Sequence, residues 1–187
     1  TNAVFIVDTC QTAGVVSIPM DEWGIDVLVY TGHKGLFGPS GIGGMIVAED
    51  IDIRQVRTGG TGVNSVSPFH PDEYPHRLES GTVSIPGIAG LHAAQKWFAD
   101  LGKSQSTDCP DTHFEACRVA LEHIHAIETE TTQRLIDAFD AIPGVIMYGP
   151  QGNQPRTSTF SINIGDLPAE QVGSMLDADH GICVRPG

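Results

Sequence analysis

A chain of 187 residues, 40% of them hydrophobic, holds enough apolar material to bury a core in one domain or two small ones. Asp and Glu outnumber Lys and Arg 23 to 10, for a formal charge of -13, so a nucleic-acid backbone or an anionic membrane surface is repelled rather than gripped. No apolar run reaches the roughly 20 residues of a membrane helix, and TNAVFIVD lacks the basic region, long apolar region and small-residue cleavage site of a secretory leader. A cytoplasmic protein with a solvated acidic surface is the expectation.

The run from Ala3 to Val7 is apolar and stops at Asp8; Val27 to Tyr30 repeats the pattern before Thr31 and Gly32. Both predict strands buried on two faces of a parallel sheet, joined by a short crossover. The C-terminal ends of such strands are where α/β folds place their ligands. Gly41 to Ala48 predicts a further strand entered through glycines. Residues 52–82 are rich in Gly, Pro and Ser, too long for an idle connector, and read as a functional loop.

Pro86 to Leu101 predicts a helix, with Ile88, Leu91, Ala94 and Phe98 at helical spacing and Gly102 as its stop. The composition shifts at KSQSTDCPDT, which places a domain boundary near residue 100. Thr112 to Ala141 reads as one amphipathic helix whose apolar face carries Phe114, Cys117, Leu121, Ile124, Ile127, Leu135 and Phe139. VIMYGP, STFSINIGD, PAEQVGSMLDADHG and ICVR then predict strand, strand, helix and strand, an α+β module. Cys10, Cys109, Cys117 and Cys183 show no CxxC spacing and no zinc ladder, so reduced thiols and no metal are expected.

The stretch YTGHKGLFGPSGIGG, Tyr30 to Gly44, is the chemical focus. A phosphate-binding P-loop needs its lysine after the glycines, and a dinucleotide fingerprint needs its glycines to open a helix; here the lysine comes first and the glycines open a strand. What remains is Lys34 just past a strand end, beside His33 and Thr31, with an earlier strand delivering Asp8 and Gln11. A lysine so placed can form a Schiff base with pyridoxal 5'-phosphate (PLP), whose ring nitrogen wants an Asp partner. The plainer readings are a solvated lysine, an Asp8 that caps the following turn, and an ordinary turn at Gly81 and Thr82.

The strings VDTCQTAG, TGHKGLFGPSGIGG, RTGGTG, RLESGT and TFSINIGD together resemble the cysteine desulfurase and selenocysteine lyase branch of the class V aminotransferase family, fold-type I PLP enzymes. That resemblance implies an α/β fold: residues 1–100 as the C-terminal part of a PLP-binding large domain with a mostly parallel sheet and flanking helices, then residues 101–187 as a smaller α+β domain. It implies that Lys34 carries the cofactor and moves the substrate α-proton, that Asp8 partners the pyridinium nitrogen, that Gln11 bonds the ring hydroxyl, and that Thr31 and His33 hold the phosphate. Gly81 and Thr82 resemble the pair that reaches the phosphate of the neighbouring subunit in a homodimer, and Arg185 an arginine beside the substrate, L-cysteine or a related amino acid. A sulfur-acceptor protein is a further implied partner.

The family pattern also includes a ring-stacking histidine upstream of these motifs and a catalytic cysteine a few residues beyond VRxG, so the resemblance implies a fragment truncated at both ends. Cys183, inside the apolar ICV, is expected to be buried and inert, and Cys10 to be a wall of the pocket. Two further readings stay open beside the desulfurase: another class V aminotransferase-type enzyme needing no thiol, and a non-catalytic fragment that keeps the fold.

Overall fold

The computed structural model describes residues 3–105, 112–150 and 154–187. Cys109 and most of the segment KSQSTDCPDT lie outside the described residues. The chain divides into two compact units, Thr1–His123 and Ile124–Gly187.

In the first unit β1 (Ile6–Asp8), β2 (Val27–Thr31) and β3 (Gly43–Val47) form one sheet with β2 in the middle. β1 runs parallel to β2, pairing Ile6 with Val27 and Asp8 with Val29, as the two apolar runs predict. β3 returns antiparallel, from Thr31 opposite Gly43 to Val27 opposite Val47. The expectation of burial on both faces holds for the start of β2, where Val27 and Leu28 are 3% and 7% exposed, but not for β1, where Ile6 is 61% exposed. The difference is positional: β2 has a strand on each side, whereas β1 is paired along one edge only. Residues 52–82 are irregular apart from a single 3-10 turn at His76–Leu78.

Helix α1 (Ile85–Gln105) starts one residue before Pro86, which occupies a first-turn position where its missing N–H is harmless. It runs past the predicted stop at Gly102 because that glycine is a contact rather than a terminus. A Cβ there would lie 1.8 Å from the carbonyl oxygen of Ala116, on α2 (His113–Asp140). Such close backbone approach leaves room only for small side chains, and Ala116 and Ala120 are 0% exposed. Of the large residues predicted for this apolar face, Phe114 and Ile127 turn outward, 72% and 54% exposed, while Leu121, Ile124 and Phe139 are half-buried.

The second unit holds the rest of α2, a hairpin-like pair β4 (Val145–Tyr148) and β5 (Ser161–Ile164), and α3 (Ala169–His180). The strands pair antiparallel from Val145 opposite Ile164 to Tyr148 opposite Ser161. Ile136 is buried, and Phe139 meets Phe160 edge-on at 5.9 Å. α3 ends at Gly181, whose φ of 65° only glycine adopts readily; its amide donates to the carbonyl of Asp177 at 2.9 Å.

The predicted final strand ICVR does not form. After Gly181 the chain folds back along α3, so that a Cβ on Gly173 would sit 3.0 Å from Pro186 and 3.5 Å from Val184. Packing on the helix replaces strand pairing. Cys183 is consequently exposed rather than buried, with its sulfur 4.0 Å from Oδ1 of Asp177. Among the described residues no helix is long and apolar enough to cross a membrane.

Candidate active site at the ends of β1 and β2

Where β1 ends, the chain is pinned to β2 before it turns. The amide and the hydroxyl of Thr9 both donate to the carbonyl of Val29, each at 2.8 Å, and Thr9 is 1% exposed. Satisfying a buried hydroxyl in this way fixes the direction in which the neighbouring Asp8 leaves the strand. The amides of Thr12 and Ala13 then return to the carbonyl of Thr9, closing a turn that carries Gln11 on an exposed position.

Asp8 does cap this turn. Its Oδ1 accepts the amide of Cys10 at 2.9 Å, an Asx turn. The carboxyl is held below the ordinary carboxylate range by hydrogen bonds from the Cys10 thiol and amide, which outweigh desolvation, with the charge of the Lys34 ammonium adding the least. Capping and a longer-range attraction to the Lys34 charge therefore act on the same carboxylate. The reciprocal effect falls on Cys10, whose thiol is pushed up by its bond to Asp8. A protonated donor of this kind is a poor nucleophile.

The second half of the site is a hoop of backbone after β2. The Gly32 amide donates to Ile42 at 2.8 Å, the Gly38 amide to Gly32 at 2.7 Å, and the Phe37 amide to Lys34 at 2.9 Å. Lys34 rides exposed on this hoop, and Thr31 Oγ1 meets His33 Nδ1 at 2.9 Å at its base. Two glycines let the hoop touch the turn after β1: a Cβ on Gly14 would lie 2.2 Å from the Gly35 oxygen, and one on Gly35 2.6 Å from the Ala13 oxygen. Asp8, Thr31, His33 and Lys34 are thus carried on two touching segments at adjacent strand ends.

The other named residues lie elsewhere. Gly81, at φ 88°, donates its amide to the Gly60 carbonyl at 2.8 Å, so the RTGGTG and LESGT segments meet just ahead of α1, with Thr82 exposed beside them. The loop around Gly60 encloses a cleft of about 780 Å³ lined by Gln55, Thr58, Asn64, Phe69 and His70 among others. The His70 ring is set between the carbonyls of Gly59 and Arg77, at 3.3 and 3.2 Å, and Arg77 pairs with Asp52. Arg185 is an exposed residue of the second unit. Among the described residues no cluster of three metal-ligating side chains occurs.

Chemically, the ends of β1 and β2 offer a carboxylate kept ionised, which suits a protonated ring nitrogen, and a primary amine that can condense with an aldehyde. The cap on the Cys10 amide is the plainer reading of Asp8 given above, whereas the Cys10 thiol as a second donor to Asp8 was not anticipated from sequence.

An α/β unit with its polar groups at the C-terminal ends of parallel strands belongs to the broad class that binds small ligands there. The chain belongs to the aminotransferase class-V family, whose family model matches residues 1–115 and 112–187. A probable cysteine desulfurase of Halalkalibacterium halodurans is 32% identical over 189 residues, covering 99% of this chain and 41% of that protein. The crystal structure of a cysteine desulfurase from Escherichia coli is similar with a TM-score of 0.73 at 25% identity, over 97% of this chain and 41% of that one. A cysteine desulfurase of Thermococcus onnurineus, solved in its apo form, gives a TM-score of 0.64 at 27% identity, over 98% and 42%. The chain thus spans about two fifths of the length of the relatives it matches.

Proposed function

We propose that this chain is the lysine-bearing and C-terminal part of a PLP-dependent cysteine desulfurase, which takes sulfur from L-cysteine to leave alanine and an enzyme persulfide. Similarity to cysteine desulfurases over the whole chain supports the reading. The observation that carries it is the ionised Asp8 within electrostatic reach of the Lys34 ammonium, on adjacent strand ends.

The residues fit the cofactor. A carboxylate that stays charged suits a pyridinium nitrogen, and Lys34 has the amine that an aldehyde needs. Bound PLP supplies an electron sink that acidifies the Cα–H of an attached amino acid. Asp8 keeps the ring nitrogen protonated, Gln11 donates to the ring hydroxyl, and Thr31 and His33 hold the phosphate. Lys34 Nζ anchors the cofactor and then takes the substrate α-proton. A thiolate of the whole protein accepts the sulfur.

The finer assignments belong to the same reading. Residues 1–100 form the end of the cofactor domain and residues 101–187 the small domain; Gly81 and Thr82 reach the phosphate of a second subunit in a homodimer; Arg185 stands by the substrate. The whole enzyme is cytoplasmic, accepts selenocysteine by the same route, and passes sulfur to an acceptor protein.

The chain has three lysines, Lys34, Lys96 and Lys103, which makes the test simple. After incubation with PLP and borohydride, peptide mass spectrometry is expected to find the adduct concentrated on Lys34. Equal labelling of all three lysines overturns the reading. In the intact protein, release of alanine from L-cysteine distinguishes a desulfurase from a transaminase.

A further inference from the structure

Phe37 is the one non-glycine residue with positive φ among the described residues, at 54°. A bulky side chain disfavours this left-handed region, which glycine enters freely. Glycine occupies positions 35, within the Lys34 turn, and 38, just after it, so a phenylalanine at the strained position between them calls for a compensating contact.

The ring supplies it. Phe37 stacks on Phe98 with centroids 5.4 Å apart and planes 10° from parallel, and meets Trp97 edge-on at 5.6 Å. Trp97 and Phe98 are themselves edge-on at 5.3 Å. Phe98 is 2% exposed while Phe37 is 58% exposed, so the hoop that carries Lys34 is laid over a core residue of its unit from the solvent side. Two more contacts lie on the same helix: Pro39 packs where a Cβ on Gly90 would be, at 2.8 Å, and Leu91 approaches the Cβ position of Gly38 to 2.9 Å. Residues 90, 91, 97 and 98 recur on one face of α1. β2 holds the base of the hoop through the Gly32 and Ile42 bond, and α1 holds its far side.

We infer that Phe37 is a positioning residue for Lys34: the aromatic clamp on Trp97 and Phe98, rather than the turn geometry alone, fixes where the amine stands relative to Asp8. The inference rests on the PLP reading for what the amine does, but the clamp is independent of it. The amide of Phe37 donates to the carbonyl of Lys34 itself, so a displacement of the ring reaches the lysine through a single turn.

The test compares Phe37→Ala, Phe37→Gly and Phe37→Tyr by two readouts. One is the ratio of Lys34 to Lys103 labelling by PLP and borohydride. The other is amide hydrogen exchange over residues 32–43 without PLP. Phe37→Gly is decisive, because it relieves the backbone while deleting the ring. Both Ala and Gly are expected to lower the labelling ratio by about tenfold or more, since small misplacements of a reacting group are costly, and to speed exchange of the hoop; Tyr restores both. A Gly variant that labels and exchanges like the unaltered chain overturns the inference, as does a Tyr variant no better than Ala. Phe37→Leu replaces Phe37→Ala if that variant does not fold, with the same loss expected. An unaltered chain that shows no preference for Lys34 sinks the PLP reading instead; hydrogen exchange then decides the clamp alone, and unchanged exchange in the Gly variant refutes it.

Discussion

The amide of Cys10 donates to Oδ1 of Asp8 at 2.9 Å, and hydrogen bonds from this one residue lower the carboxyl more than the charge of Lys34 does. The state of the proposed ring-nitrogen partner is therefore set largely within its own turn. Replacing Cys10 by Ala removes the thiol donor and keeps the amide. The Asp8 midpoint, followed by carboxyl NMR, is expected to rise toward the ordinary value of 3.8 while remaining below it. A carboxyl with a depressed folded pKa contributes stability that is present above 3.8 and is lost as pH falls through the folded value. Asp8→Asn should accordingly flatten the acid limb of a stability profile below pH 3.8, lose the linked contribution above it, and leave the slope of the neutral region unchanged. An unchanged midpoint in Cys10→Ala removes the thiol from the account.

Gly14 and Gly35 make the contact that joins the two halves of the site. At Gly14 a Cβ meets both a φ of 82° and the Gly35 oxygen at 2.2 Å. Gly14→Ala must push the hoop away from the turn, since neither neighbour is a flexible side-chain end. Labelling of Lys34 by PLP should fall by about tenfold or more, with secondary structure retained by circular dichroism. Gly24→Ala shares a positive φ but has nothing within 4 Å, so it reports backbone strain alone. If the two variants lose Lys34 labelling equally, the close approach is not what aligns the site.

The crossing of α1 and α2 at Gly102 predicts a larger structural effect. A Cβ placed 1.8 Å from a backbone oxygen cannot be accommodated by rotamer change, so Gly102→Ala should destabilise the chain by about 3 kcal/mol, the upper part of the usual range for overpacking. Gly60, with nothing within 4 Å and no positive φ, serves as the control, expected to lie within about 1 kcal/mol of the unaltered chain. Urea unfolding of the two variants separates a tight crossing from a generic glycine effect.

That crossing also explains what the sequence did and did not reveal. The strands at Val27 and Gly43 and the helices α1, α2 and α3 were legible, because apolar runs and three- and four-residue spacing leave a periodic trace. The buried stripe of α2 was not. Where it crosses α1 it is built from Ala116 and Ala120, small residues chosen by backbone proximity, while the conspicuous Phe114 points outward. The run ICVR looked like a strand because its composition suits one, but pairing is a property of neighbours, and here the neighbour is α3. At the candidate site, the order of Asp8, Thr31, His33 and Lys34 along two apolar runs was enough to expect them at adjacent strand ends. The fastening of Phe37 to Phe98 joins positions about sixty residues apart and leaves no local pattern to read.

In the second unit the stability of the β4 and β5 end depends on one guanidinium. Arg156 donates from Nη1 to the Pro150 carbonyl at 3.0 Å and from Nη2 to the Thr159 carbonyl at 2.8 Å, and its Cζ lies 4.3 Å from the Phe160 ring centroid. Phe160 in turn meets Phe139 of α2, so the arginine ties the segments flanking β4 and β5 to the helix. Lysine can supply the charge but not a planar fork that donates in two directions while covering a ring. Arg156→Lys is therefore expected to lose about 2 kcal/mol, comparable to charge-assisted hydrogen bonds, and Arg156→Ala about 3 kcal/mol once the cation–π contact is also gone. Denaturant unfolding monitored over residues 145–164 by hydrogen exchange reads both values locally. A lysine variant as stable as the unaltered chain would mean that charge alone, rather than the geometry of the fork, holds this end of the unit.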